Sequence, residues 1–383
     1  VKQHTVQSSS SVTAGVLVSV IAMAGFLILP LFVGAVAQRF ALTESQIGFL
    51  ATFIMGGSAL SSVAAIFWIR KVNWQWSALL ALGAMLCGNV LSLWVTSFPA
   101  FVVLQCLVGV GGGAAYSIAL TVLSDHPQAD RCFGFSVAAQ VSFQIVGLLG
   151  LPVVVAQYGL EAVLGLLIGL EVVALVLLWW LPASGLVMPT SVEKKRVVSS
   201  AVLFALLGCF MFFFNVGVVW TYIERMGADS GFSPAVIGES LAVGVAFGVP
   251  GALLASWCGE RYGRLLPLAV GALIMVGALL MLVGRIDEKS YLLALALYNF
   301  SWNFSLAYQY AAVNAADDSG RSVAAAPAFH ALGAAVGPGV AALFVSADNF
   351  FAVNVLAIAG VTLSLLLFVF AAIKHPNRKT VAA

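Results

Sequence analysis

Charge is what this sequence has least of. Asp, Glu, Lys and Arg make up 8% of its 383 residues, against about 25% in an ordinary soluble domain. That scarcity excludes a soluble globular enzyme, whose surface needs charge to stay hydrated. Cysteine is sparse too: Cys87, Cys106, Cys132, Cys209 and Cys258 all fall in apolar runs, with no CxxC pair and no histidine at ligand spacing. They read as free thiols packed as small hydrophobes rather than as a metal or disulfide framework. Zincin HExxH, GxSxG and Walker A sequences are missing, and Asp125-His126 and Asp317-Asp318 are the nearest thing to catalytic clusters. The expectation is therefore no enzyme and no cofactor. A net charge of +2, with Lys194, Lys195 and Arg196 as the one basic cluster, leaves nothing to neutralise a nucleic-acid backbone.

What is present is hydrophobicity along the whole length. Apolar residues are 62% of the chain and mean hydropathy is +1.07. A helix needs about 20 apolar residues to cross a bilayer. Cutting at charge, proline and glycine clusters predicts twelve spans, an all-α membrane protein. Six lie at about residues 12–37, 46–69, 75–96, 100–124, 132–156 and 160–181, and six at about 199–224, 234–258, 265–284, 290–316, 322–345 and 349–373. The expected organisation is a six-helix bundle over 1–181, a linker over 182–198 and a second bundle over 199–383. The first apolar run is too long for a signal-peptide core, so the first span is expected to stay. The ten-residue alternation of a transmembrane barrel is missing. Lys and Arg fall in the connections, thirteen on the side of the linker and four (Arg39, Arg225, Arg285, Lys289) on the other. The positive-inside rule then puts both termini and the linker in the cytoplasm of a multi-pass inner or plasma membrane protein.

The halves repeat at an offset of 190 residues: Ile47-Gly48 matches Ile237-Gly238, Arg70-Lys71 falls opposite Glu260-Arg261, and Arg131 matches Arg321. Gln140 and His330 each lie nine residues beyond those last arginines, and Gly147 and Gly337 sixteen beyond. Such internal repeats put a transporter's substrate site at the midplane between them.

Ionisable residues at bilayer depth are functional candidates by default. Glu171 lies near the middle of the sixth span and His330 near the middle of the eleventh, each able to carry and release a proton. Glu239, close to an outer end, is a third candidate for proton coupling, or a favourable charge at a helix N-terminus. The tenth span is the most polar: Asn299, Asn303, Tyr310 and Asn314 follow one stripe, and Trp302, Ser305 and Gln309 the next. Gln140 and Gln144 share a face of the fifth span, as ligand contacts or as glue between helices. Trp74, Trp76, Trp179 and Trp180 are expected in interfacial belts, which does not account for Trp302 deep in its span.

The loop Gly259-Glu260-Arg261-Tyr262-Gly263-Arg264 resembles the Asp-Arg-x-Gly-Arg loop of the major facilitator superfamily, and the likeness extends over the whole chain. The resemblance implies two pseudo-symmetric six-helix bundles, alternating access and, usually, a monomer. It implies a gating latch at Glu260, Arg261 and Arg264. The matching first-half stretch Ile69-Arg70-Lys71-Val72-Asn73-Trp74 keeps the basic pair but lacks the acid and the glycine, so the latch is expected to be asymmetric. Gln105, four residues before Gly109, stands where the family often has a proton-coupling arginine. The Gly333-x-x-x-Gly337-Pro338-Gly339 stretch resembles an exporter motif that the family carries in its fifth span; here it is in the eleventh, with Gly337 and Pro338 as candidate gating residues. The resemblance also lines a cavity with the first, fourth, seventh and tenth spans, adding Asn215, Trp220 and Tyr222 to the substrate candidates.

Lacking buried Lys or Arg, the spans disfavour phosphate, sulfate or multiply charged carboxylates. Amides, aromatics and a histidine suit a small neutral, zwitterionic or weakly cationic organic solute with a flat part. The expected partners are that solute, a coupling proton and membrane lipids. Uptake is the favoured direction; multidrug or metabolite export, and a transporter-like sensor or lipid-handling protein, are the alternatives.

Overall fold

The computed structural model describes residues 8–185, 199–317, 322–346 and 350–374. Expectations resting on Lys2, Lys194, Lys195, Arg196, Arg321, Arg378 and Lys379, and most of the linker, lie outside the described residues. Within them the chain is helical and forms two compact units, 1–191 and 192–383.

The first unit contains α1 (Ser9–Leu27), α2 (Leu29–Phe40), α3 (Glu44–Trp68), α4 (Trp74–Ser92), α5 (Phe98–Ser124), α6 (Ala129–Tyr158) and α7 (Leu160–Leu177). The second contains α8 (Ser200–Asp229), α9 (Pro234–Cys258), α10 (Leu265–Leu280), α11 (Glu288–Ala316), α12 (Ala326–Ala342) and α13 (Phe351–Lys374). Thirteen helices serve twelve predicted spans because the first is broken: Pro30 enters at the start of α2, and Ile28 leaves helical geometry at φ −106°. Proline cannot donate to the preceding turn and its ring crowds the carbonyl four residues back, so the helix ends and restarts there.

Starts and stops follow local chemistry. Ser8, Thr43, Asn73, Ser199, Ser233 and Asp287 each cap a helix with a side-chain oxygen on a backbone N–H. Thr43 and Gln46 form a reciprocal capping box. Gly159, at φ 59°, makes the reversal between α6 and α7 that a side chain would strain. Nine of the described helices are long and apolar enough to cross a membrane. α11 is not among them despite its 29 residues, since asparagines, tyrosines and Gln309 lower its hydropathy.

In the first unit α5 packs on α1, α3 and α4, while α7 closes against α4 and α1. In the second, α8 packs on α12 and α13, and α11 on α9 and α10. These contacts are close because small residues let backbones meet. A Cβ on Gly109 or Gly113 would collide with the carbonyls of Ile54 and Ser58 on α3, and one on Gly333 or Gly337 with Phe210 and Phe214 on α8. In a lipid setting such van der Waals fit replaces the hydrophobic drive between helices.

Candidate functional site

The polar side chains that the spans carry fall into three groups, and each has a distinct setting. In the second unit, Phe213 and Trp220 lie seven residues apart on α8, two turns along one face. Trp302 and Gln309 have the same spacing on α11. His330, in the second turn of α12 rather than at its middle, stacks on Phe213 with ring centroids 4.1 Å apart, and Tyr310 meets it edge-on at 5.4 Å. Trp302 sits edge-on to Phe213 at 5.8 Å and to Trp220 at 6.5 Å. The imidazole Nε2 is 3.0 Å from Gln309 Oε1, and the Gln309 amide nitrogen is buried with no hydrogen-bond partner. An unsatisfied buried donor is costly, so this amide marks a place where an acceptor belongs.

The remaining candidates of this unit face elsewhere. Asn299 donates to the Leu295 carbonyl and lies against Gly244 of α9; Asn303 donates to the Asn299 carbonyl and lies against Gly248. The stripe drawn from the sequence therefore divides: Asn299 and Asn303 meet α9, Tyr310 joins the rings, and Asn314 is exposed. Asn215 is fully buried, with its amide 3.2 Å from Met275 Sδ on α10. Tyr222 is buried against Phe350 at 6.3 Å. Phe213 escaped notice in the sequence, being one of three consecutive phenylalanines; helical spacing from Trp220 is the signal that singles it out.

The second group is a buried network in the first unit. Glu171 on α7 is 1% exposed, and its Oε1 accepts from Asn89 Nδ2 on α4 at 2.6 Å. Gln105 on α5 donates to Asn89 Oδ1 at 3.2 Å and to Ser92 Oγ at 3.0 Å. Three helices are thus joined through one carboxyl, whose Oε2 has no partner. Glu239, by contrast, is exposed near the start of α9. Gln144 donates to the Leu27 carbonyl where α1 breaks, and Gln140 to Ser136 Oγ, which is 2.6 Å from Ser19 Oγ. Both glutamines bond neighbours within their own unit.

The third group lies at the helix ends. Arg70 makes two hydrogen bonds, of 2.7 and 2.8 Å, to the carboxylate of Asp125 at the end of α5. The Asp125 side chain is 2% exposed. Arg70 also lies 5.8 Å from the ring of Trp74, whose indole donates to the Ile69 carbonyl at 2.7 Å. Two expectations are corrected here. The acid missing from the Arg70 loop comes from another helix, and Trp74 is buried rather than in an interfacial belt, unlike the exposed Trp76, Trp179 and Trp180. In the second unit the loop that matches the family motif better holds its charges loosely: Glu260 is 92% exposed and 4.0 Å from Arg264, while Arg261 lies over Trp257 at 5.3 Å. Gly337 and Pro338 are buried in the α12–α8 contact, which close packing accounts for.

The Major Facilitator Superfamily model matches residues 14–338. The chain belongs to the Major Facilitator Superfamily. It is accordingly a transporter of the alternating-access kind and not an enzyme. No curated protein sequence matches it at a significant level. Among solved structures, a D-xylose-proton symporter shares the fold with a TM-score of 0.75, at 14% identity over 93% of this chain and 96% of that one. The nucleoside transporter NupG does so with a TM-score of 0.69, at 10% identity over 97% and 100%. A structure described in terms of substrate recognition in proton-dependent oligopeptide transporters gives 0.71, at 14% identity over 98% and 100%. Their cargoes are chemically unlike one another, so superfamily membership leaves the substrate to the side chains.

Proposed function

We propose that this superfamily member carries a small neutral, zwitterionic or weakly cationic organic solute with a flat apolar part into the cell, coupled to a proton. The observation that carries this reading is the ring cluster around His330. Phe213, Trp220, Trp302 and Tyr310 offer faces and edges on which a planar group can stack, and Gln309 has a spare donor for its polar edge. Every described Lys and Arg lies near a helix end or in a connection. An anionic cargo would find no countercharge at depth. His330 and Glu171 are two buried titratable side chains on which a coupling proton can ride; no described Lys or Arg pairs with Glu171. Thirteen basic residues on one side against four on the other support cytoplasmic termini in an inner membrane.

The test begins with a thermal-shift screen of purified protein against small organic molecules, because a ligand that binds the folded state raises its unfolding midpoint. A planar, non-anionic hit should be taken up by proteoliposomes in response to an inward proton gradient. Trp302→Ala should remove its binding while leaving the unfolding midpoint of the empty protein little changed. Uptake indifferent to the gradient in wild type would refute coupling, and a hit that binds without crossing would favour a sensor.

A further inference from the structure

A cavity of about 400 Å³ opens at the end of the second unit where α10 begins and where α11 and α13 finish. Its rim carries Arg264, Tyr262 and Glu260, and its wall is apolar, with Leu266, Ala315 and Ala372. The one described acid on this rim, Glu260, leaves Arg264 poorly matched. Arg264 occupies the N-cap position of α10, where an oxygen-bearing side chain is the usual occupant; no side chain caps this helix and its first turn has no acid. A guanidinium there stands at the positive end of the helix dipole, an arrangement that is unfavourable by itself. Its Nε is buried without a hydrogen-bond partner, and Glu260, at 4.0 Å and 92% exposed, is too loosely held to neutralise it.

The setting says what kind of anion fits. Tyr262 is 55% exposed and Trp257, with Arg261 against its ring, 64% exposed. Exposed aromatics beside basic residues mark headgroup depth in a membrane protein. Just inside that level, the alanines leave space and Leu266 is 57% exposed, so the cavity joins a charged mouth to a greasy wall. We propose that it binds a membrane phospholipid, with the headgroup phosphate on Arg264 and the free N–H groups that open α10, and an acyl chain along Leu266, Ala315 and Ala372. The lipid then ties α10, α11 and α13 together at one end. This site is independent of the ring cluster and of any transported solute.

The experiment uses the full chain, purified in detergent and stripped of lipid. Its unfolding midpoint is followed against phosphatidylglycerol, diacylglycerol with the same chains, and inorganic phosphate, at matched ionic strength. Phosphatidylglycerol should raise the midpoint saturably and diacylglycerol should not, with inorganic phosphate giving far less at equal concentration. Arg264→Gln should weaken the half-saturating phosphatidylglycerol concentration by about tenfold, the loss of one charge-assisted hydrogen bond. Ala315→Leu keeps the charge but fills the wall, should weaken it as well, and serves as the test if Arg264→Gln folds poorly. Equal stabilisation by diacylglycerol, or by inorganic phosphate, would overturn the proposal. So would an unchanged phosphatidylglycerol response in both variants.

Discussion

The two units descend from one six-helix pattern, yet each has placed its chemistry where the other has not. At the helix ends, the first unit holds a closed bidentate ion pair, Arg70 on Asp125, and the second a loose Glu260–Arg264 pair. At depth, the first holds a single carboxyl in an amide network and the second a histidine among rings. Even the close helix contacts draw their glycines differently. Where α3 meets α5 both helices supply them, Gly57 on α3 and Gly109 and Gly113 on α5, whereas in the matching contact Gly244, Gly248 and Gly251 all lie on α9 and receive α11. A duplicated fold thus constrains where backbones approach, not which helix supplies the small residue or which side chain supplies the charge.

The comparison breaks most severely at the glycines. Gly113→Leu and Gly333→Leu each drive a side chain into a carbonyl of the adjacent helix. Overpacking costs about 1–3 kcal/mol and more where backbone cannot move, so both variants should lose the monodisperse peak on size-exclusion chromatography. Tolerance of either would show that its contact is looser than its partner's.

Next comes the network of Glu171. Glu171→Leu leaves the Asn89 amide without its acceptor and should cost about 1–3 kcal/mol, read as a lower unfolding midpoint. Glu171→Gln keeps an oxygen for Asn89 and should fold nearly as well as wild type. If Glu171 carries the coupling proton, the Gln variant should nonetheless lose the response of uptake to a pH gradient. A Gln variant that keeps that response would leave the first unit with a structural carboxyl only.

The ion pairs sharpen the contrast at smaller amplitude. Asp125→Asn removes the buried partner of Arg70, which is itself 36% exposed; discounted for that solvent screening, the loss should be about 1–2 kcal/mol. Glu260→Gln should change stability by less than about 0.5 kcal/mol, as exposed pairs do. Equal effects from the two would mean that the ends of the units are alike after all.

The smallest effect concerns the cap of α11. Asp287 accepts from the Ser290 hydroxyl and from the backbone N–H groups of Ser290 and Lys289, and the Ser290 bonds chiefly hold its carboxyl below the usual aspartate range. A lowered folded-state value contributes stability above the unfolded value of about 3.9, and that contribution is lost as pH falls through the folded one. Unfolding midpoints of wild type and Asp287→Ala should therefore differ slightly at neutral pH and converge in acid.

Much of this was legible in the chain. Twelve apolar stretches and the loop around Arg261 follow from composition and short-range pattern, because lipid demands long apolar helices and the connections between them hold the charge. The Pro30 break was visible as a proline inside a span, but not as a division into two helices. Asp125 was passed over as a loop-edge acid. Nothing within its neighbourhood in sequence reveals that Arg70, 55 residues away, folds onto it.

By itself the sequence determined the class of molecule: an all-helical membrane chain in two halves, poor in buried charge, with His330 and Glu171 as its titratable groups at depth. Only the tertiary structure decided which helix faces meet, because side chains that share a helical stripe separate when different neighbours pack on either flank. That is why Asn303 turns to Gly248 while Trp302, one residue before it, joins Phe213 and Trp220. A stripe read from one helix gives angles about one axis; a site needs the position of the other axes, and in this fold those are fixed by glycine contacts between segments far apart in the chain.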